Sequence, residues 1–119
     1  MNTKTGPFRT FQAGEVLAAN RRVKRSATAN QVVYADAGEP CVGVTVELAV
    51  AIGENVNVQL WNQGGSHLIT ALVAIGDNVA VYGAVDGKID VAVVGDPIAK
   101  SLEASSADLD DIEVATYSA

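Results

Sequence analysis

The sequence predicts an all-β fold, a small antiparallel β-sandwich or barrel of about eight or nine short strands behind an extended N-terminal arm. Three observations carry this. Polar and apolar residues alternate with a period of two in several short runs, and turn residues separate the runs at close spacing. The apolar share, 49%, comes mainly from Val and Ala, with aromatics at only 5%, so the buried side chains should be small or β-branched.

Residues 1–13 are polar, contain Gly6-Pro7 and show no apolar period, so they are expected to form an extended arm that its own domain holds weakly. Both phenylalanines, Phe8 and Phe11, lie in that arm, where they would serve as anchors for docking. Residues 14–119 are then a single β domain, of a size that removes about two-thirds of the unfolded surface from water. Alternation is plainest at 55–60 and recurs at 78–82, 88–93 and 111–114. Turn signals fall between these runs, at 36–40, 63–65, Gly76-Asp77, the hairpin pair Asp86-Gly87, and 95–97. Residues 97–109 read as a strand followed by a loop; the alternative is a short helix capped by Asp96 with Pro97 in its first turn.

A degenerate internal repeat is visible. Gly38-Glu39-Pro40-Cys41-Val42 echoes Gly95-Asp96-Pro97-Ile98-Ala99, and Gly14-Glu15-Val16-Leu17 echoes Gly76-Asp77-Asn78-Val79. Two similar β modules sharing one core would account for both echoes.

The net charge of −6 is unevenly spread. Residues 1–25 hold Lys4, Arg9, Arg21, Arg22, Lys24 and Arg25 against Glu15 alone, whereas 26–119 hold two basic residues and thirteen acidic ones. A basic leading segment on an acidic body suggests a contact end and a solvated end. The lone Cys41 excludes an internal disulfide, and with no secretory leader in view, synthesis inside the cell is expected. No run approaches the roughly 18 apolar residues of a membrane span, so no membrane association is expected. The cluster Arg21, Arg22, Lys24, Arg25 could meet phosphates, but the acidic remainder and the lack of interleaved aromatics argue against nucleic acid.

No constellation supports catalysis, a metal or a cofactor. Gly64-Gly65-Ser66-His67-Leu68 lacks the final glycine of a nucleophile elbow, and the one histidine adjoins the candidate serine. Residues 83–89 approach a phosphate-binding loop, yet three residues separate the glycines where four are required and Ile89 replaces Ser or Thr; a hairpin explains them better. Asp108, Asp110, Asp111 and Glu113 lack the glycine and spacing of a calcium loop and read as a solvated turn. Trp61 could be a packing anchor, an interface aromatic or a carbohydrate-stacking platform.

Residues 11–24, Phe11-Gln12-Ala13-Gly14-Glu15-Val16-Leu17-Ala18-Ala19-Asn20-Arg21-Arg22-Val23-Lys24, resemble the opening of a family of small tailed-bacteriophage proteins known as capsid cement or head decoration proteins. The similarity continues through Val33-Tyr34-Ala35-Asp36-Ala37-Gly38, Val42-Gly43-Val44-Thr45, Val79-Ala80-Val81-Tyr82, Asp86-Gly87-Lys88, Leu102-Glu103-Ala104 and Asp111-Ile112-Glu113-Val114. Arg25 to Asn30, which looks longer and more basic than the usual link, and Trp61 depart from it. The resemblance implies a non-enzymatic virion protein, made in the host cytoplasm, that binds the major capsid protein on the outside of the head as a homotrimer. Taken with the charge map, it implies Phe8, Arg9, Phe11, Arg21 and Arg22 as the capsid contact. The competing reading is a virion-displayed module for carbohydrate or host surface, relying on Trp61, Tyr82 and the turn at 62–67.

Overall fold

A computed structural model describes residues 8–61, 66–105 and 110–116, and it is all-β, with no α-helix among those residues. Ten strands follow in order: β1 Phe8–Ala13, β2 Arg22–Arg25, β3 Gln31–Tyr34, β4 Gly43–Thr45, β5 Asn55–Leu60, β6 Ser66–Thr70, β7 Ala80–Gly83, β8 Ile89–Asp90, β9 Ala99–Ser101 and β10 Asp111–Thr116. The first five close into a barrel in the order β3-β2-β4-β5-β1, with β1 returning to β3. That closing pair is parallel, at Gln12↔Gln31 and Ala13↔Val32, an exception to the antiparallel pattern expected.

The last five form a sheet in the order β8-β7-β9-β10-β6, the same path when β6 to β10 are matched to β1 to β5. Its ends meet through one parallel bridge, Ala71↔Ile89, so this sheet is a curled half-barrel. The match extends to single hydrogen bonds. Asn20 and Asn78 both adopt left-handed backbone, φ 61° and 59°, which asparagine tolerates better than most residues. Their N–H groups donate to Thr45 O at 2.8 Å and Ser101 O at 3.1 Å. The hydroxyls of Thr45 and Ser101 in turn donate to Ala18 O at 2.8 Å and Gly76 O at 2.7 Å. Val42 N–H donates to Val23 O, and Ile98 N–H to Val81 O.

The repeat is therefore present, with two corrections. Gly38 and Gly95 both turn the chain at positive φ, 76° and 69°, as the first echo suggests. The second echo is out of register, since Gly76 occupies the place of Ala18 and Leu17 that of Ile75: the carbonyls of Leu17 and Ile75 accept from Ala49 and Ser105. The two modules also do not share one core. Phe11, Leu17, Val23, Val32, Val56 and Val58 fill the barrel, whereas Ile69, Ile75, Val81, Ile89, Ile112 and Val114 fill the half-barrel, joined by Val44 of β4.

Residues 83–89 form the hairpin. Asp86 and Gly87 have φ of 56° and 74°, both positive as a type I′ turn requires, and Lys88 N–H closes on Val85 O at 3.2 Å. Residues 99–105 are strand and then loop, the preferred reading; residues 106–109 lie outside those described.

Candidate interaction surface

Strand β1 begins inside the segment expected to be an arm. It pairs with β5 from Phe8↔Gln59 to Gln12↔Asn55, and Phe11, only 1% exposed, packs into the barrel core. Residues 8–13 are thus part of the barrel, and the rest of the expected arm, 1–7, lies outside the described residues. The physical reason is that β1 supplies only Phe11 and Ala13 to the interior, too short a pattern to register as a period, and borrows the rest from Val56 and Val58 of β5. Phe8 remains 55% exposed. Arg9 and Arg25, both exposed, hold their guanidinium carbons 4.9 and 5.5 Å from the centroid of the Phe11 ring, in cation–π range.

Arg22 is the other displaced site residue. It is 0% exposed, and its guanidinium reaches carbonyls of both modules: Ala35 at 3.0 Å on one side, Ala84 at 3.0 Å and Lys88 at 3.2 Å on the other. Gly83 makes the space, since a Cβ there would stand 2.8 Å from Nη2, and a Cβ at Gly87 would meet the Arg22 carbonyl at 2.5 Å. Burial pushes the guanidinium pKa down, but from so high a starting value that the charge persists. Neighbouring contacts complete the joint. Asn20 O accepts from Thr70 N–H at 2.8 Å, Asn20 Nδ2 donates to Asp111 at 2.9 Å, and Arg21 Nη1 donates to Asp86 O at 3.1 Å. Residues 20–22 therefore wedge into the seam that the half-barrel leaves open.

The basic cluster is thus divided among separate tasks. Arg21 lies over the Tyr34 ring at 5.7 Å, and Lys24 pairs with Glu39 at 2.6 Å, the one salt bridge among the described residues. Of the five expected contact residues, Phe8 and Arg9 are exposed, Arg21 is half-buried with Nη1 on Asp86 O, and Phe11 and Arg22 are buried in the fold.

Ser66 donates to Glu113, while His67, 1% exposed, engages Leu60 O through Nε2 at 3.2 Å and stacks on Trp61 at 5.0 Å between ring centroids. Trp61 packs against the half-barrel core, a role the sequence left open. Burial lowers the His67 pKa below its ordinary 6.5, with the Leu60 carbonyl opposing, and Nδ1 is buried without a partner. The unfolded chain therefore binds a proton more readily than the folded one. The stability due to neutral His67 is complete above pH 6.5 and is lost as pH falls through the lowered folded pKa, at no more than about 1.4 kcal/mol per pH unit. Denaturation midpoints measured from pH 7.5 to 5 should fall in the native chain and fall less in His67→Phe.

A feature absent from the expected site is an apolar rim on the first module. Leu17↔Ala49 is an antiparallel bridge with both side chains inward, which turns Val16, Leu48 and Val50 outward together; Val46 and Ile52 (70% exposed) extend the face. A sequence signal existed: 46, 48, 50 and 52 are all apolar while their neighbours already include the buried Ala49, so both faces of the run are apolar.

The chain is thus an all-β protein of two tandem modules, a closed barrel and a half-barrel on one strand plan. Among solved structures, it is similar to the N base of the head fibre protein gp8.5 of bacteriophage phi29, with a TM-score of 0.75 over 92% of each chain at 16% identity. That likeness establishes the fold. No family model matches the sequence, nor does any curated protein.

Proposed function

We propose that the chain is a structural protein of a tailed-phage virion that binds the outer surface of the head as an oligomer, a homotrimer, and stabilises the capsid lattice. The observation that carries this is the likeness in fold, over nearly the whole chain, to the base of a phage head fibre. The resemblance of residues 11–114 to head decoration proteins supports it independently. The protein acts by binding, without catalysis. If it binds only the assembled lattice, it stabilises that lattice by RT ln(1 + [L]/Kd), about 2.7 kcal/mol per site at a hundredfold excess over Kd. The contact is assigned to Phe8 and Arg9, now joined by Arg25, whose cations would meet an acidic capsid surface.

The test is co-sedimentation of the purified chain with heads that lack it, followed by reconstruction of the decorated particle. External density at threefold or quasi-threefold positions is expected. Charge reversal at Arg9 and Arg25 should weaken binding more at low salt than at high salt. Heads that bind none of the chain, with glycan-array binding in its place, would overturn the proposal in favour of a carbohydrate-binding module. The packing of Trp61 on His67 and the core argues against that alternative, because it removes the most suitable stacking platform.

A further inference from the structure

We propose that the apolar rim of the first module is a docking face for the basic end of a second copy of this chain, so that copies associate head to tail. The internal repeat supplies the control that isolates the rim. Val46 N–H donates to Asn57 O at 3.1 Å and Leu102 N–H to Glu113 O at 2.9 Å, and Ala49 and Ser105 make the same bond to Leu17 and Ile75, so 46–49 and 102–105 do one structural job. Leu48 then corresponds to Ala104, and Val16 to Ala74. Continuing along the sequence, Val50 corresponds to Ser106 and Ile52 to Asp108. The fold accepts alanine at the described places, so it does not require large apolar side chains there. Exposed Leu48, Val50, Ile52 and Val16 form the kind of contiguous patch that marks a protein contact.

Charge selects the occupant. Glu47 and Glu54, both exposed, border the rim, so a basic partner is favoured. The chain carries a matching surface. Arg9 and Arg25 flank Phe11 beside the exposed Phe8, and among the described residues neither arginine is in a salt bridge. The two surfaces lie towards opposite ends of the barrel: Arg9 pairs with Val58 on β5, whereas Glu54 lies beyond the Gln12↔Asn55 end of the same ladder. One molecule cannot satisfy both by folding on itself, but two can, through a heterologous contact that closes into a ring when the rotation between copies permits. The inference rests on and deepens the oligomeric part of the proposed function, and within the oligomer it gives Arg9 and Arg25 to the neighbouring copy in place of the capsid. Its test uses the chain without particles, so failure to bind heads leaves it untouched.

Sedimentation of the full chain over a concentration series should show self-association that weakens with added salt. L48D/I52D and R9E/R25E should each lose it, with dissociation constants raised roughly a hundredfold or more, while keeping native circular dichroism and melting curves. Mixed together, the two variants should form a one-to-one heterodimer, because one carries an intact basic end and the other an intact rim. A wild-type chain that stays monomeric throughout would overturn the proposal. So would R9E/R25E that still self-associates, which would indicate rim-to-rim pairing, or a mixture that gives no heterodimer.

Discussion

Replacing Arg22 with alanine should lower stability by about 2–5 kcal/mol, from the cavity left by a fully buried side chain and the loss of its charge-assisted hydrogen bonds. The substitution leaves a cavity and strips Ala84 O of its guanidinium donor, whereas Ala35 O and Lys88 O lose one of two donors and keep the N–H groups of Gly87 and Ala84. Arg22→Lys should restore less than half of the loss, because an ammonium on a flexible stem cannot reproduce a planar fork aimed at both modules. Urea denaturation followed by Trp61 fluorescence, which reports on the half-barrel core, and by far-UV circular dichroism will measure it. In the native chain the two signals should change together; in the alanine variant the midpoint should fall sharply. A loss below about 1 kcal/mol would show that the modules are held by something other than this guanidinium.

Phe11→Ala should cost about 3–5 kcal/mol, the range for truncating a fully buried aromatic, whereas Phe8→Ala should be close to neutral in the free protein. Deleting residues 1–13 should then unfold the barrel, since β5 loses its β1 partner and the core loses its largest apolar side chain. The arm expected from sequence predicts the opposite, a folded domain after the same deletion. Denaturation of the two point variants and the circular dichroism of the deletion decide between them, and a neutral Phe11→Ala would restore the arm.

The all-β fold was legible because alternation and turn residues are local signals, and the Asp86-Gly87 hairpin was readable for the same reason. The tandem repeat was visible but slipped at Gly14, because glycine is conspicuous while the true counterparts, Asn20 with Asn78 and Thr45 with Ser101, are matched by backbone geometry that no residue name announces. Parallel closure of β1 on β3 could not be read, since pairing direction depends on the path of the chain between strands. The expected contact site failed where tertiary structure decides burial. Residue type marks Phe11 as an anchor and Arg22 as a surface charge, yet strand pairing and a glycine-lined niche take both inside. The rim at 46–52 is hard to read from sequence because an apolar run suggests a buried strand until the inward positions are known to be occupied already.

The wedge of residues 20–22 in the half-barrel seam has a further consequence. Covalent linkage presents one module to the other at an effective concentration on the order of millimolar, a gain that separate molecules would have to find in contact energy. A joint made of one guanidinium, the carbonyls it reaches, a few backbone hydrogen bonds and the inserted Val44 side chain therefore suffices within a single chain.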